Sequence, residues 1–171
     1  MNEEILFDFL NTHQIDYKLF KHLPVFTTKD KLVLIDSNDV DTIPGLHSKN
    51  LFLKTEKQGT FFLVSVTDEK RVDLKALSKI LETSRFSFGK PEELLELLKL
   101  KPGSVTPFGL LFDSENHVTF ILDEDFLMGT HVNFHPLRND GTLCLTPQAF
   151  LACMGKMGHP PHVTQIPVKI D

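Results

Sequence analysis

Apolar positions along the chain recur in two rhythms, and the rhythms place most of the elements. Ile5, Leu6, Phe9 and Leu10 fall at helical intervals behind Glu3 and Glu4, which suit the positive end of a helix dipole, so a first helix is predicted over residues 3–12. Residues 16–21 alternate, with Tyr17 and Leu19 on one face and Lys18 and Phe20 on the other, and read as a short strand that stops before Pro24. Thr27 or Thr28 is placed to cap a short helix over residues 27–37. Residues 49–54 and 60–66 flank a polar turn containing Gly59 and form the clearest hairpin. Leu74, Leu77, Ile80 and Leu81 mark a second amphipathic helix, and Pro91-Glu92-Glu93 opens a third with proline at its first position. Strands are predicted over 118–122, 131–135, 142–145 and 162–168, with a helix begun by Thr146-Pro147 and carrying Phe150, Leu151, Met154 and Met157. Helices and strands mix without a strict βαβ rhythm, so the expected fold is α+β, one domain over residues 1–171 with a curved mixed sheet.

Composition narrows the class. At 171 residues and 41% hydrophobic, the chain has material for one good core and too little for two. Its start, MNEEILFDFLNTH, is acidic where an export signal is basic, and no apolar run approaches the roughly 18 residues of a membrane span. A soluble, cytoplasmic protein is expected, with Cys144 and Cys153 as buried thiols. The net charge of −5 argues against a broad basic face that coats nucleic acid. Contact with RNA would be confined to one end, through a few cations such as Lys49, Lys54, Arg71 and Arg138.

Three segments carry candidate chemistry. Strand alternation puts Lys49 on one face with Leu51 and Leu53, so a lysine begins a buried row. Such an amine either reaches the rim or serves a cleft, because burying it without a partner is costly. Pro102-Gly103-Ser104-Val105-Thr106-Pro107 is a stiff loop whose backbone amides are uncommitted to helix or sheet and suited to a carbonyl oxygen or a phosphate, or else it is an ordinary turn. His131, Asn133 and His135 share a strand face opposite Val132 and Phe134. On a strand the two imidazoles stand about 13 Å apart, beyond any shared ion, so no metal is expected. There is no GxSxG, HExxH or GxxxxGK[ST] motif, and His159-Pro160-Pro161-His162 reads as a linker.

Taken in order, HLPVFT at 22–27, SKNLFLK at 48–54, PGSVTPFGL at 102–110 and VNFHP at 132–136 resemble the YbaK-like family, which includes the editing domain inserted in bacterial-type prolyl-tRNA synthetases. Within that family the resemblance is to free-standing prolyl-tRNA deacylases acting on alanyl-tRNA(Pro). It implies a barrel-like mixed sheet and hydrolysis of the ester between a misplaced amino acid and the terminal adenosine of a tRNA, with no cofactor. It further implies Lys49 as the essential lysine with Asn50 beside it. Gly103, Ser104, Thr106 and Pro107 would hold the aminoacyl-adenosine end, His135 would serve the pocket, and Pro24 and Phe26 would form one wall. The implied partners are the acceptor end of a mischarged tRNA and a recruiting aminoacyl-tRNA synthetase, with the chain itself a monomer. A deacylase for cysteine or serine, and a binding module that hydrolyses nothing, are the competing readings.

Overall fold

A computed structural model of the chain describes residues 2–21, 43 and 45–170. The first helix, α1, covers Asn2–Thr12 and leads into strand β1, Lys18–Lys21. In the stretch from residue 45 onward come β2, Leu46–Thr55, and β3, Phe61–Thr67, paired antiparallel as the predicted hairpin with Lys54 opposite Phe61. Helix α2, Leu74–Ile80, begins at Asp73, whose side chain accepts from the Ala76 amide at 3.0 Å. Helix α3, Pro91–Leu98, begins where the Glu93 carboxylate accepts from the Lys90 amide at 2.9 Å. Both starts follow the capping chemistry written in the sequence. The later elements are β5 (Val118–Asp123), β6 (Val132–Phe134), β7 (Gly141–Leu145), α4 (Pro147–Lys156, capped by Thr146) and β8 (His162–Thr164). The last two predicted strands that touch His residues are shorter than expected, and the predicted helix over 27–37 lies outside the described residues.

Three elements were not foreseen. Strand β4, Phe86–Phe88, is only three residues long and offers no periodicity to read. Two 3₁₀ turns cover Pro107–Phe112 and Glu124–Met128. The first begins with Thr106-Pro107, the same threonine-proline start that announces α4, so a signal for it was present in the sequence.

The strands lie in the order β1-β7-β6-β2-β3-β5-β8, with β4 also on β2. Pairings of β2 with β6, β3 with β5 and β5 with β8 are parallel, and the others are antiparallel, so the sheet is mixed as expected. Among the described residues it does not close into a barrel, since β1 and β8 stand at the two ends of the pairing path. One face packs Phe52, Leu63, Phe120, Leu122, Val132 and Phe134 against Leu6 and Leu10 of α1, Leu94 and Leu98 of α3, and Phe150 and Met154 of α4. The other face packs Leu53, Val64, Val66 and Ile121 against Val72, Leu77, Phe86 and Ile166. Cover on both sides explains why β3 reads FFLVSVT, an almost continuous apolar run.

The burial of β6 corrects one expectation. Asn133 does not line an open surface with His131 and His135. It is 2% exposed, and its side-chain amide donates to the Leu46 carbonyl at 3.2 Å, where β6 meets β2. The two strands come close here because residue 45 is glycine: a Cβ on Gly45, at φ +99°, would lie 2.4 Å from the His131 oxygen. His162 is the first residue of β8, and the linker reading holds for residues 159–161. Within it His159 is buried and Nε2–H donates to the Asp113 carbonyl at 2.8 Å. No described helix is long and apolar enough to cross a membrane.

Phe134 stacks on Phe150 with ring centres 4.4 Å apart and meets Phe108 edge-on. Phe134→Ala should therefore lower the unfolding free energy by about 3–5 kcal/mol in a denaturant titration. Cys144 and Cys153 are both buried, and burial pushes the Cys153 thiol up to about 12 and that of Cys144 upward as well. Neither should react with a disulfide reagent at pH 8 while the protein is folded, and both should react once it is unfolded, as counted by released chromophore.

Candidate functional site

Strand β2 organises the site, because adjacent residues on it face opposite ways. Lys49 pairs with Val66, and Leu51 with Val64, on the face of the second cluster. The expected row of Lys49, Leu51 and Leu53 running into the core is thus present. At its head the Lys49 amine donates to the backbone carbonyl of Lys70, in the turn that follows β3. Burial lowers the Lys49 pKa, nearby Asp68 raises it and Arg71 lowers it, with a net fall below the ordinary lysine value.

That turn is held firmly. The Lys70 ammonium lies 2.5 Å from an oxygen of fully buried Asp123 and 3.0 Å from Asp125. Burial acts to lower the Lys70 pKa, and its hydrogen bonds to the two carboxylates and their negative charge outweigh it. The Asp68 amide donates to the His47 carbonyl at 3.0 Å, tying the turn back to β2. A cavity of about 360 Å³ lies beyond it, lined by Lys70, Ile80, Asp125 and residues 165–168, away from the other candidate residues.

Asn50 leaves the opposite face, beside Phe52 and across from Ser65. Its side-chain amide donates to the Val105 carbonyl at 3.2 Å and to Ser48 Oγ at 3.3 Å, and its carbonyl oxygen accepts from the Ser65 hydroxyl at 2.5 Å. The loop expected to bind the aminoacyl end is therefore fastened directly to the residue after Lys49. Within the loop Gly103 adopts φ +90°, a conformation that favours glycine. Buried Thr106 accepts from the Phe108 amide at 3.4 Å and starts the 3₁₀ turn at Pro107. The loop's amides are less open than expected: Ser104 N–H donates to the Lys101 carbonyl at 3.1 Å.

His135 follows β6, and Nδ1–H donates to the Gly141 carbonyl at 3.1 Å, which sets the ring's tautomer. Because β6 runs parallel to β2 with Asn133 opposite His47, counting two residues on along each chain reaches His135 and Lys49. Gly141 pairs with Lys21 at the end of β1, so the segment carrying Pro24 and Phe26 starts at this point, and those two residues lie outside the described ones.

The edge of β2 opposite β3 is interrupted at the same place. Among the described residues, β6 pairs with it only at Leu46 and His47, and β4 only at Leu53, Lys54 and Thr55. Between them stand Lys49 and Asn50, one side chain directed to each face. A small polar group entering this break could meet both the lysine's side and the loop's side of the sheet, which neither face alone would allow. Two cations expected to meet RNA are instead partnered within the chain. Lys54 is 2.7 Å from Glu93 and lies over Phe61, and Arg138 pairs with Asp140 at 2.7 Å and Glu3 at 3.3 Å. Among the described residues, no three acidic, histidine or cysteine side chains are grouped to hold a metal ion. Ser65, Asp123 and Lys70 had no place in the sequence reading. The one available signal was Ser65 itself, a hydroxyl inside an apolar strand.

Residues 37–153 match the family model described as an aminoacyl-tRNA editing domain. The chain is 37% identical over 155 residues to the prolyl-tRNA synthetase associated domain-containing protein 1 of Xenopus laevis, covering 87% of this chain and 89% of that one. It is 34% identical over 137 residues to the prolyl-tRNA editing protein ProX of Acetoanaerobium sticklandii, covering 80% of each. A solved structure of a proposed trans-editing enzyme for prolyl tRNA synthetase superposes with a TM-score of 0.71 over 98% of this chain and 97% of that one. At 22% identity this is a likeness of fold. The matched span contains the lysine strand, the loop and the histidine segment, and the chain belongs to the aminoacyl-tRNA editing domain family.

Proposed function

We propose that this protein is a free-standing, cytoplasmic editing hydrolase that removes a wrongly attached amino acid from tRNA, with alanyl-tRNA(Pro) as its main substrate. The observation that carries the reading is the break, among the described residues, in the edge of β2 at Lys49 and Asn50, with Lys49 bonded to the Lys70 carbonyl on one face and Asn50 to the Val105 carbonyl on the other. The family match and the ProX relative, which is named for prolyl-tRNA editing, point the same way.

Ester hydrolysis by water places negative charge on the carbonyl oxygen. A lysine ammonium and backbone amides held in a partly dry cleft lower that barrier by several kcal/mol, because fixed dipoles need no reorganisation. In this reading Lys49 supplies the cation and the Gly103–Pro107 loop the amides. His135 and the Pro24–Phe26 segment border the amino-acid side chain, and the ribose hydroxyl next to the ester helps to activate the water. Pocket volume then selects the amino acid, where one methylene is worth about 1–3 kcal/mol. The protein acts as a monomer on the acceptor end of the tRNA.

A second reading, a non-catalytic module that binds aminoacyl-tRNA or a synthetase, has the net charge of −5 and the lack of a recognisable catalytic base as its support. Incubation with a panel of mischarged tRNAs separates the two. The enzyme should release alanine from tRNA(Pro) faster than it releases cysteine or serine from theirs. Absence of release from every member of the panel would leave only the binding reading. Lys49→Ala should cut turnover by about a hundredfold or more while circular dichroism stays unchanged. Because the ammonium is the working form and its pKa is lowered, activity above the spontaneous rate should fall on the alkaline side at a pH below the ordinary lysine value. Asp68 stabilises that charge, so Asp68→Asn should move the fall to still lower pH.

A further inference from the structure

Ser65 is fully buried within β3, in a row of apolar residues, and no role in catalysis or binding has been given to it. A buried hydroxyl is costly unless it is hydrogen-bonded, and this one lies directly across from Asn50. The direction of the bond follows from the Val105 carbonyl. That oxygen only accepts, so the Asn50 side chain must turn its NH₂ toward it, which directs Oδ1 at Ser65 and makes the serine the donor. With Ser48 taking the second N–H, both donors of Asn50 are engaged inside the protein.

We propose that Ser65 and Asn50 form a latch that positions the Gly103–Pro107 loop for the editing reaction. Ser65 is a positioning residue that acts through Asn50. Asn50 in turn serves the site by fixing Val105, so the loop, and not the asparagine, touches the substrate. The geometry gives the latch a single stable state. Reversing the Asn50 amide would set its oxygen against the Val105 oxygen, and removing the Ser65 hydroxyl takes away the donor that satisfies Asn50 Oδ1 in the unreversed state. A loop released in this way keeps its fold, because Thr106 still caps the 3₁₀ turn and Pro107, Phe108 and Leu110 remain buried in the core. What is lost is the fixed direction of its amides, and a catalytic donor displaced by a fraction of an ångström is a weak one.

The inference rests on the editing reading for its activity arm and on the fold alone for its second arm. In deacylation assays with the full chain and alanyl-tRNA(Pro), Ser65→Ala should lower kcat/KM by about tenfold, mostly in kcat. Ser65→Thr, which keeps the hydroxyl, should recover most of the loss. Adding Ser65→Ala to Asn50→Ala should bring little further loss, because the two act as one unit. In hydrogen exchange, the peptide spanning residues 101–110 should exchange faster in Ser65→Ala. Val64→Ala, which opens a cavity on the other face, should leave that peptide unchanged. A Ser65→Ala protein with wild-type kcat/KM and wild-type exchange at 101–110 would overturn the latch while leaving the editing reading intact. If wild-type protein releases no amino acid from any mischarged tRNA, the editing reading falls and the exchange result alone decides the latch.

Discussion

Strand alternation in β2 is the constraint on which the site depends. Lys49 and Asn50 are neighbours in sequence, so a regular strand must direct them to opposite faces of the sheet. In a sheet with one face in water, one of the two would be solvated and idle. Here both faces are covered by core, and each side chain is drawn to a specific backbone carbonyl, Lys70 for the lysine and Val105 for the asparagine. In the proposed reading, the interrupted edge of β2 is what would let two polar groups on opposite faces belong to one site.

Each of those carbonyls is itself secured by buried polar chemistry. The Lys70 turn is anchored by an ammonium between two carboxylates, one of them fully buried. Breaking such a pair by removing one partner is far more damaging than the pair is stabilising, so its presence favours one arrangement of the turn over others. On the other face, the work is done by uncharged groups, Ser65, Asn50 and Thr106, which cost little to bury once bonded. The charged anchor thus lies on the face of Lys49 and the neutral one on the face of Asn50.

Much of this was legible in the sequence. The helices beginning at Pro91 and Pro147 were marked by proline and a capping residue, and the β2–β3 hairpin by its polar turn at Gly59, because these signals are local. The row of Lys49, Leu51 and Leu53 followed from alternation alone. The parts that could not be read depend on distant chain. Three residues of β4 are a strand only because β2 offers Leu53 to Thr55 as partners. Asn133 is buried opposite Cys144 of β7, which packs with Ile43 and Phe20, and periodicity does not report what covers a face. The bond between Asn50 and Val105 spans 55 positions, and no spacing rule predicts it. Pro24 and Phe26 remain outside the described residues.

The internal ion pairs of Lys54 and Arg138 have a bearing on how any RNA would be met. A phosphate approaching either cation finds it already neutralised by Glu93, or by Asp140 and Glu3, and must compete with a tethered carboxylate instead of displacing loosely held counterions. Under the proposed editing function, discrimination would then shift from the polyanionic stem to the chemistry of its extremity. Such a surface would hold a nucleic acid briefly and weakly, long enough to inspect what the terminal sugar carries and to let a correctly loaded molecule go.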